Sequence, residues 1–96
     1  TLMRSSAASD VYKRQVLVQR FHIDTNHHMN NGKYILVAEE YLPENFKTES
    51  IRVEYKKAAV IGNMLYPEVY EQQNGVTIVL ADEQKVPYAI MQFRGK

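Results

Sequence analysis

The spacing of apolar residues changes period along this chain, and each change marks an element. Val16-Leu17-Val18-Gln19-Arg20-Phe21 is short and rich in strand formers, which predicts a first strand. A polar stretch follows, from Asp24 to Asn31. Beyond it Tyr34, Ile35, Ala38, Tyr41 and Leu42 fall at i, i+1, i+4, i+7 and i+8, one face of a helix. Asn30 or Asn31 is placed to cap that helix, Pro43 to end it, and Glu39 and Glu40 lie off the stripe, facing water. Ile51, Val53 and Tyr55 then alternate with Arg52, Glu54 and Lys56, the two-residue period of a half-buried strand. Gly62-Asn63 breaks the run. Met64 to Gln72 and Val76 to Ala81 flank Gln73-Asn74-Gly75, and Asn-Gly between two strand-like runs is a hairpin signal. A further turn is expected within Asp82 to Lys85. After it Ala89, Met91 and Phe93 alternate with Tyr88, Ile90 and Gln92. Pro67 requires an edge position or a bulge. Strand, helix, then four strands joined largely by hairpins predicts an α+β fold, an antiparallel sheet wrapped around one long helix.

Residues 1–15 show neither period and are expected to form a disordered or non-native leader, leaving residues 16–96 as a single domain. Ser5 to Gln15 resembles a junction sequence that recurs at the ends of proteins translated from assembled environmental DNA. On that reading the natural sequence upstream of Val16 is missing. At 96 residues the chain covers one sheet with one helix but does not enclose a deep substrate cavity, so a partner subunit or repeat is expected. Twelve Lys and Arg against eleven Asp and Glu make no electrostatic case for nucleic acid or an anionic membrane. The absence of cysteine excludes a thiol nucleophile, a cysteine zinc site and disulfides, and fits a reducing compartment. No apolar run approaches the roughly 20 residues of a membrane span.

The candidate chemistry lies in Asp24-Thr25-Asn26-His27-His28-Met29-Asn30-Asn31. A carboxylate, an amide and an imidazole at alternate positions before a helix N-terminus can hold a water, move a proton and polarise a carbonyl. The competing structural reading is that Asp24 and Asn26 satisfy backbone N–H groups in a turn, and that Asn30 is a cap. His22, Asp24, His27 and His28 lack the spacing of a metal site, so no metal is expected.

The pattern Asp24-x-Asn26-x-His28-x-Asn30-Asn31-x-x-Tyr34, between a strand and a helix, resembles the signature of the acyl-acyl-carrier-protein (acyl-ACP) thioesterases of the hotdog fold. Arg52-Val53-Glu54-Tyr55-Lys56-Lys57-Ala58-Ala59 resembles the strand after the helix in that family, its bacterial branch especially. The resemblance spans about Val16 to Phe93 and implies the C-terminal repeat of a double-hotdog chain in the bacterial cytoplasm. It implies hydrolysis of fatty acyl-ACP to free fatty acid, without a cofactor, with the phosphopantetheine-bearing carrier protein as partner and a second hotdog repeat or an identical copy beside it. Asp24, Asn26 and His28 match the family's catalytic positions, and Asn30, Asn31 and Tyr34 complete the pattern as expected substrate contacts. Plant relatives have Glu then Cys where this chain has Ala58 and Ala59, which leaves Asp24 as the leading carboxylate. Two alternatives are an acyl-CoA thioesterase or hydratase-like hotdog homodimer, and a non-catalytic acyl or carrier-protein binding module.

Overall fold

A computed structural model describes residues 15–95. The expected leader, residues 1–15, therefore lies almost wholly outside the described residues. Strand β1 (Val16–Leu17) is followed by a 3-10 turn (Arg20–His22), helix α1 (Asn31–Glu39), β2 (Thr48–Tyr55), β3 (Met64–Gln72), β4 (Gly75–Ala81) and β5 (Pro87–Gly95). The five strands form an antiparallel sheet in the order β1-β3-β4-β5-β2. The α+β reading holds.

The core follows the two-residue period. Val76, Ile78 and Leu80 stand directly opposite Phe93, Met91 and Ala89, and all six are buried. Tyr34 and Ala38 of α1 cover them from one side, with Ile35, Val37, Tyr41 and Leu42 at the margin. Pro67 is buried and pairs with Leu80, while β1 reaches along β3 only to Leu65 and Met64. Its missing N–H thus falls where β3 is a sheet edge, as its sequence position requires.

Three expectations are corrected. The first strand, expected over Val16 to Phe21, stops at Leu17, because Gln19 N–H donates to His22 Nδ1 and His22 N–H to the Gln19 carbonyl, both at 2.9 Å, winding the chain into the 3-10 turn. The helix is nine residues, not long, and ends at Glu39, four residues before Pro43. Tyr41 and Leu42 reach the core from the turns after it. The expected hairpin between β3 and β4 is present; it turns on Gln73 and Asn74, with Gly75 already in the strand opposite Gln72. None of these three has positive φ; Gly75 is required because a Cβ there would meet the Phe93 carbonyl oxygen.

The third correction concerns β2. Ile51, Val53 and Tyr55 pair with Phe93, Met91 and Ala89, so they stand on the core face, yet Ile51 is 39 % and Tyr55 42 % exposed. A helix about 10 Å across covers about two strands spaced about 4.8 Å apart, and α1 lies over β4 and β5. The core face of β2 is therefore left open, along with its outer hydrogen-bonding edge.

Candidate active site

The polar stretch folds into a small ladder. Asn30 N–H donates to the His22 carbonyl (2.8 Å), Ile23 and Met29 form a bridge, and Asp24 N–H donates to the His28 carbonyl (3.0 Å). Four residues close it as a tight turn. His27 N–H donates to the Asp24 carbonyl (3.1 Å), Asn26 N–H to Asp24 Oδ1 (2.9 Å), and His27 has φ of 65°. The structural use of Asp24 weighed from sequence is therefore real, but it engages one carboxylate oxygen.

The ladder is pinned from behind. Met29 N–H donates to the Ala59 carbonyl (2.8 Å), and the buried Ala59 N–H donates to the Tyr34 hydroxyl oxygen (2.9 Å). Burial pushes the Tyr34 phenol above its ordinary value, with the Ala59 N–H pulling the other way, so its proton is retained at neutral pH. Tyr55 meets the Tyr34 ring edge-on and donates its hydroxyl to the Asn31 carbonyl (3.2 Å). The end of β2 is thereby tied to the start of α1.

Between ladder, helix start and the segment after β2 lies an open recess of about 380 Å³. Asp24, Asn26, His28, Asn31 and Tyr34 line it together with Met29, Tyr55, Lys56, Lys57 and Ala58. Asp24 is half-buried; Asn26 and His28 are exposed. Asn30 is not among the lining residues. Its side chain accepts the Gly32 N–H (2.8 Å) and caps the helix.

At the helix start, the Asn30 N–H is bound to His22, the Gly32 N–H to the Asn30 side chain, and the Lys33 N–H to the Asn30 carbonyl (2.9 Å). The Asn31 N–H has no acceptor among the described residues, and it sits at the positive end of the helix dipole. The recess thus combines a half-engaged carboxylate, an amide, an imidazole, a phenol and a backbone N–H. Among the described residues no three of His, Asp and Glu gather into a metal-sized cluster.

Sequence reasoning left three contributors out. Periodicity places Tyr55 only in a half-buried strand, although its position at the end of the alternating run marks it as a residue leaving the sheet. Lys57 has no role in the sequence pattern beyond its place in the family-like strand, whereas its Nζ binds Asp82 Oδ2 (2.6 Å) and lies 4.7 Å from the Tyr88 ring centroid. His22 was considered only as a metal ligand, yet it is buried at the foot of the ladder.

The family model of the acyl-ACP thioesterase C-terminal domain matches residues 5–94, which takes in part of the expected leader as well as the domain from Val16 onward. A search among curated proteins by sequence finds no match. Among solved structures, the chain is similar to an acyl-ACP thioesterase from Bacteroides thetaiotaomicron, at 15 % identity and a TM-score of 0.78, over 85 % of this chain and 36 % of that one. It is also similar to YbaW, a probable thioesterase from Escherichia coli, at 21 % identity and a TM-score of 0.69, over 82 % and 76 % of the two chains. A third similar structure is the hypothetical protein SAV2348 from Staphylococcus aureus in complex with CoA, at 16 % identity and a TM-score of 0.72, over 82 % and 72 %. The chain thus spans about a third of the first of these and about three quarters of the other two.

Proposed function

The chain belongs to the acyl-ACP thioesterase family, as its C-terminal domain, and on that premise we propose that the recess is the hydrolytic centre of a thioesterase acting on fatty acyl-ACP. The observation that carries the proposal is the gathering of Asp24, Asn26 and His28 with the unbonded Asn31 N–H in one opening. Asp24 takes a proton from the attacking water through the carboxylate oxygen left by its turn. Asn26 holds that water or the carbonyl oxygen, and His28 relays a proton. The Asn31 N–H and the Tyr34 hydroxyl supply hydrogen bonds to the oxyanion as the water adds to the thioester carbon. Collapse of the tetrahedral intermediate breaks the C–S bond, the thiolate takes up a proton, and free fatty acid and carrier-protein thiol leave. Ala58 faces the recess without a carboxylate, so Asp24 acts alone as the base.

The open core face and edge of β2 are the surface for the second hotdog repeat, which completes the pocket for the acyl chain. The carrier protein, working in the cytoplasm, delivers the thioester. Lys56 and Lys57 line the recess but are already paired, with Glu54 and Asp82, so an acidic carrier-protein surface meets them in competition with those carboxylates. A second reading, a homodimeric acyl-CoA thioesterase, is favoured by the coverage of YbaW and of the CoA-bound Staphylococcus aureus protein, each close to one such domain in length.

The test is thiol release from matched acyl-ACP and acyl-CoA by the domain together with the sequence that naturally precedes it. Faster turnover of the acyl-ACP is expected. Faster turnover of acyl-CoA by a stable homodimer favours the second reading. Normal turnover by an Asp24→Ala variant removes the assignment of Asp24, and no turnover by the parent leaves a binding module.

A further inference from the structure

His22 is the buried polar side chain of the described core, and the chemistry of the recess does not use it. Its ring borders a separate groove of about 520 Å³ on the β1 side of α1. Three hydrogen bonds converge on this residue. Nδ1 accepts the Gln19 N–H, its own N–H donates to the Gln19 carbonyl, and its carbonyl accepts the Asn30 N–H, the first rung of the ladder that carries Asp24 and His28. An Nδ1 that accepts an N–H carries no proton, so the ring is neutral with its hydrogen on Nε2.

We propose that His22 is a positioning residue for the Asp24–His28 turn, and that it holds the turn at the recess only while its ring is neutral. A proton on Nδ1 would face the Gln19 N–H donor for donor and release the turn on which the ladder stands. The surroundings favour the neutral form. Lys33 of α1 lies on the same groove, 5.9 Å from the centroid of the Phe21 ring, and the Phe21 ring itself lies 4.0 Å from that of His22. Glu40 and Tyr41, from the turns just after α1, also line the groove. Burial first, and the Lys33 charge second, hold the His22 pKa below the ordinary imidazole value. When the ladder opens, His22 returns to its ordinary value of about 6.5 and takes up a proton before the closed form does. The contribution is therefore complete above about pH 6.5 and fades as pH falls toward the pKa of the closed form.

For catalysis this inference rests on the thioesterase reading, so the deciding readout is the loop itself. Amide exchange protection of Asp24 and Asn30 is compared from pH 7.5 to pH 5 in the wild type, His22→Asn and His22→Phe. Asn places Oδ1 near the position of Nδ1 and does not titrate. The wild type is expected to lose protection below about pH 6.5, by up to about tenfold per pH unit. His22→Asn is expected to stay protected and flat, and His22→Phe to be unprotected throughout. The exposed His27 and His28 are present in all three proteins, so a slope that survives in His22→Asn arises outside His22 and overturns the proposal. Flat wild-type protection overturns it as well. If His22→Phe does not fold, the Asn comparison decides alone. Absent hydrolysis in every variant counts against the thioesterase reading and leaves the loop result standing.

Discussion

The chain builds the same turn twice. In Asp24-Thr25-Asn26-His27-His28 and in Asp82-Glu83-Gln84-Lys85-Val86, the Asp N–H donates to the carbonyl four residues on, at 3.0 and 2.9 Å, and its carbonyl accepts the N–H three residues on, at 3.1 and 2.9 Å. Its Oδ1 accepts the N–H two residues on, at 2.9 Å in both, and the fourth residue has positive φ, 65° at His27 and 68° at Lys85. The difference lies in what else the carboxylate does. Asp82 Oδ1 also accepts the Val86 N–H (2.9 Å) and Oδ2 takes the Lys57 ammonium, whereas Asp24 has no further bond among the described residues and lines the recess. One backbone device thus yields a fully engaged carboxylate that closes a hairpin and a half-engaged one that faces an opening. An Asp in a turn does not by itself indicate structure or chemistry; the second oxygen separates the two.

The largest effect should come from replacing each carboxylate by its amide. Asp24→Asn keeps an oxygen for the Asn26 N–H and removes the proposed base, so thioester hydrolysis should fall by roughly 10²- to 10⁴-fold with little change in Tm. Asp82→Asn keeps the oxygen for Gln84 and Val86 and should leave hydrolysis close to wild type while weakening the hold on Lys57. Equal losses of activity in the two variants would break the comparison, since both carboxylates would then act through the turn alone.

How far the sequence reveals this arrangement depends on range. Alternation in Val76 to Ala81 and in Tyr88 to Arg94 reports burial directly, so the central strands and the Pro67 edge are legible. Val16 to Phe21 is misread because local bonds between Gln19 and His22 outweigh strand propensity. Ile51 and Tyr55 are misread because periodicity tells which face they share, not whether a nine-residue helix reaches them. The site is legible as a motif, since Asp24, Asn26, His28, Asn31 and Tyr34 do share one recess. Its supports are not. The Tyr34–Ala59 bond spans 25 residues, as does Lys57–Asp82, and no local pattern encodes either.

A smaller effect separates the turns by pH. The Lys57 hydrogen bond first, and the Val86 N–H second, hold the Asp82 carboxyl below the ordinary carboxylate range. A depressed carboxylate stabilises the fold fully above its unfolded pKa of about 3.9, and that contribution disappears as pH falls through the folded value. Amide exchange at Gln84 and Val86 should therefore accelerate, relative to intrinsic rates, only below about pH 4. The ladder amides Asp24 and Asn30 should already have loosened below about pH 6.5 through His22. Simultaneous loosening of both turns would mean that one global transition governs them and that the His22 device does not operate.

The smallest effect tests whether the shared backbone is itself a burden. A non-glycine residue in the left-handed region costs about 1–2 kcal/mol, and glycine there avoids that strain while adding about 0.5–1 kcal/mol of chain entropy to the unfolded state. Lys85→Gly should therefore raise stability by up to about 1 kcal/mol in denaturant unfolding. His27→Gly should do the same, because the φ values nearly coincide and both side chains are exposed. A stabilised His27→Gly with full hydrolytic activity would show that the imidazole beside His28 serves the backbone and not the reaction. A loss of activity with the expected gain in stability would instead draw His27 into the recess chemistry, since the strain relieved is common to both turns and only one of them borders the recess.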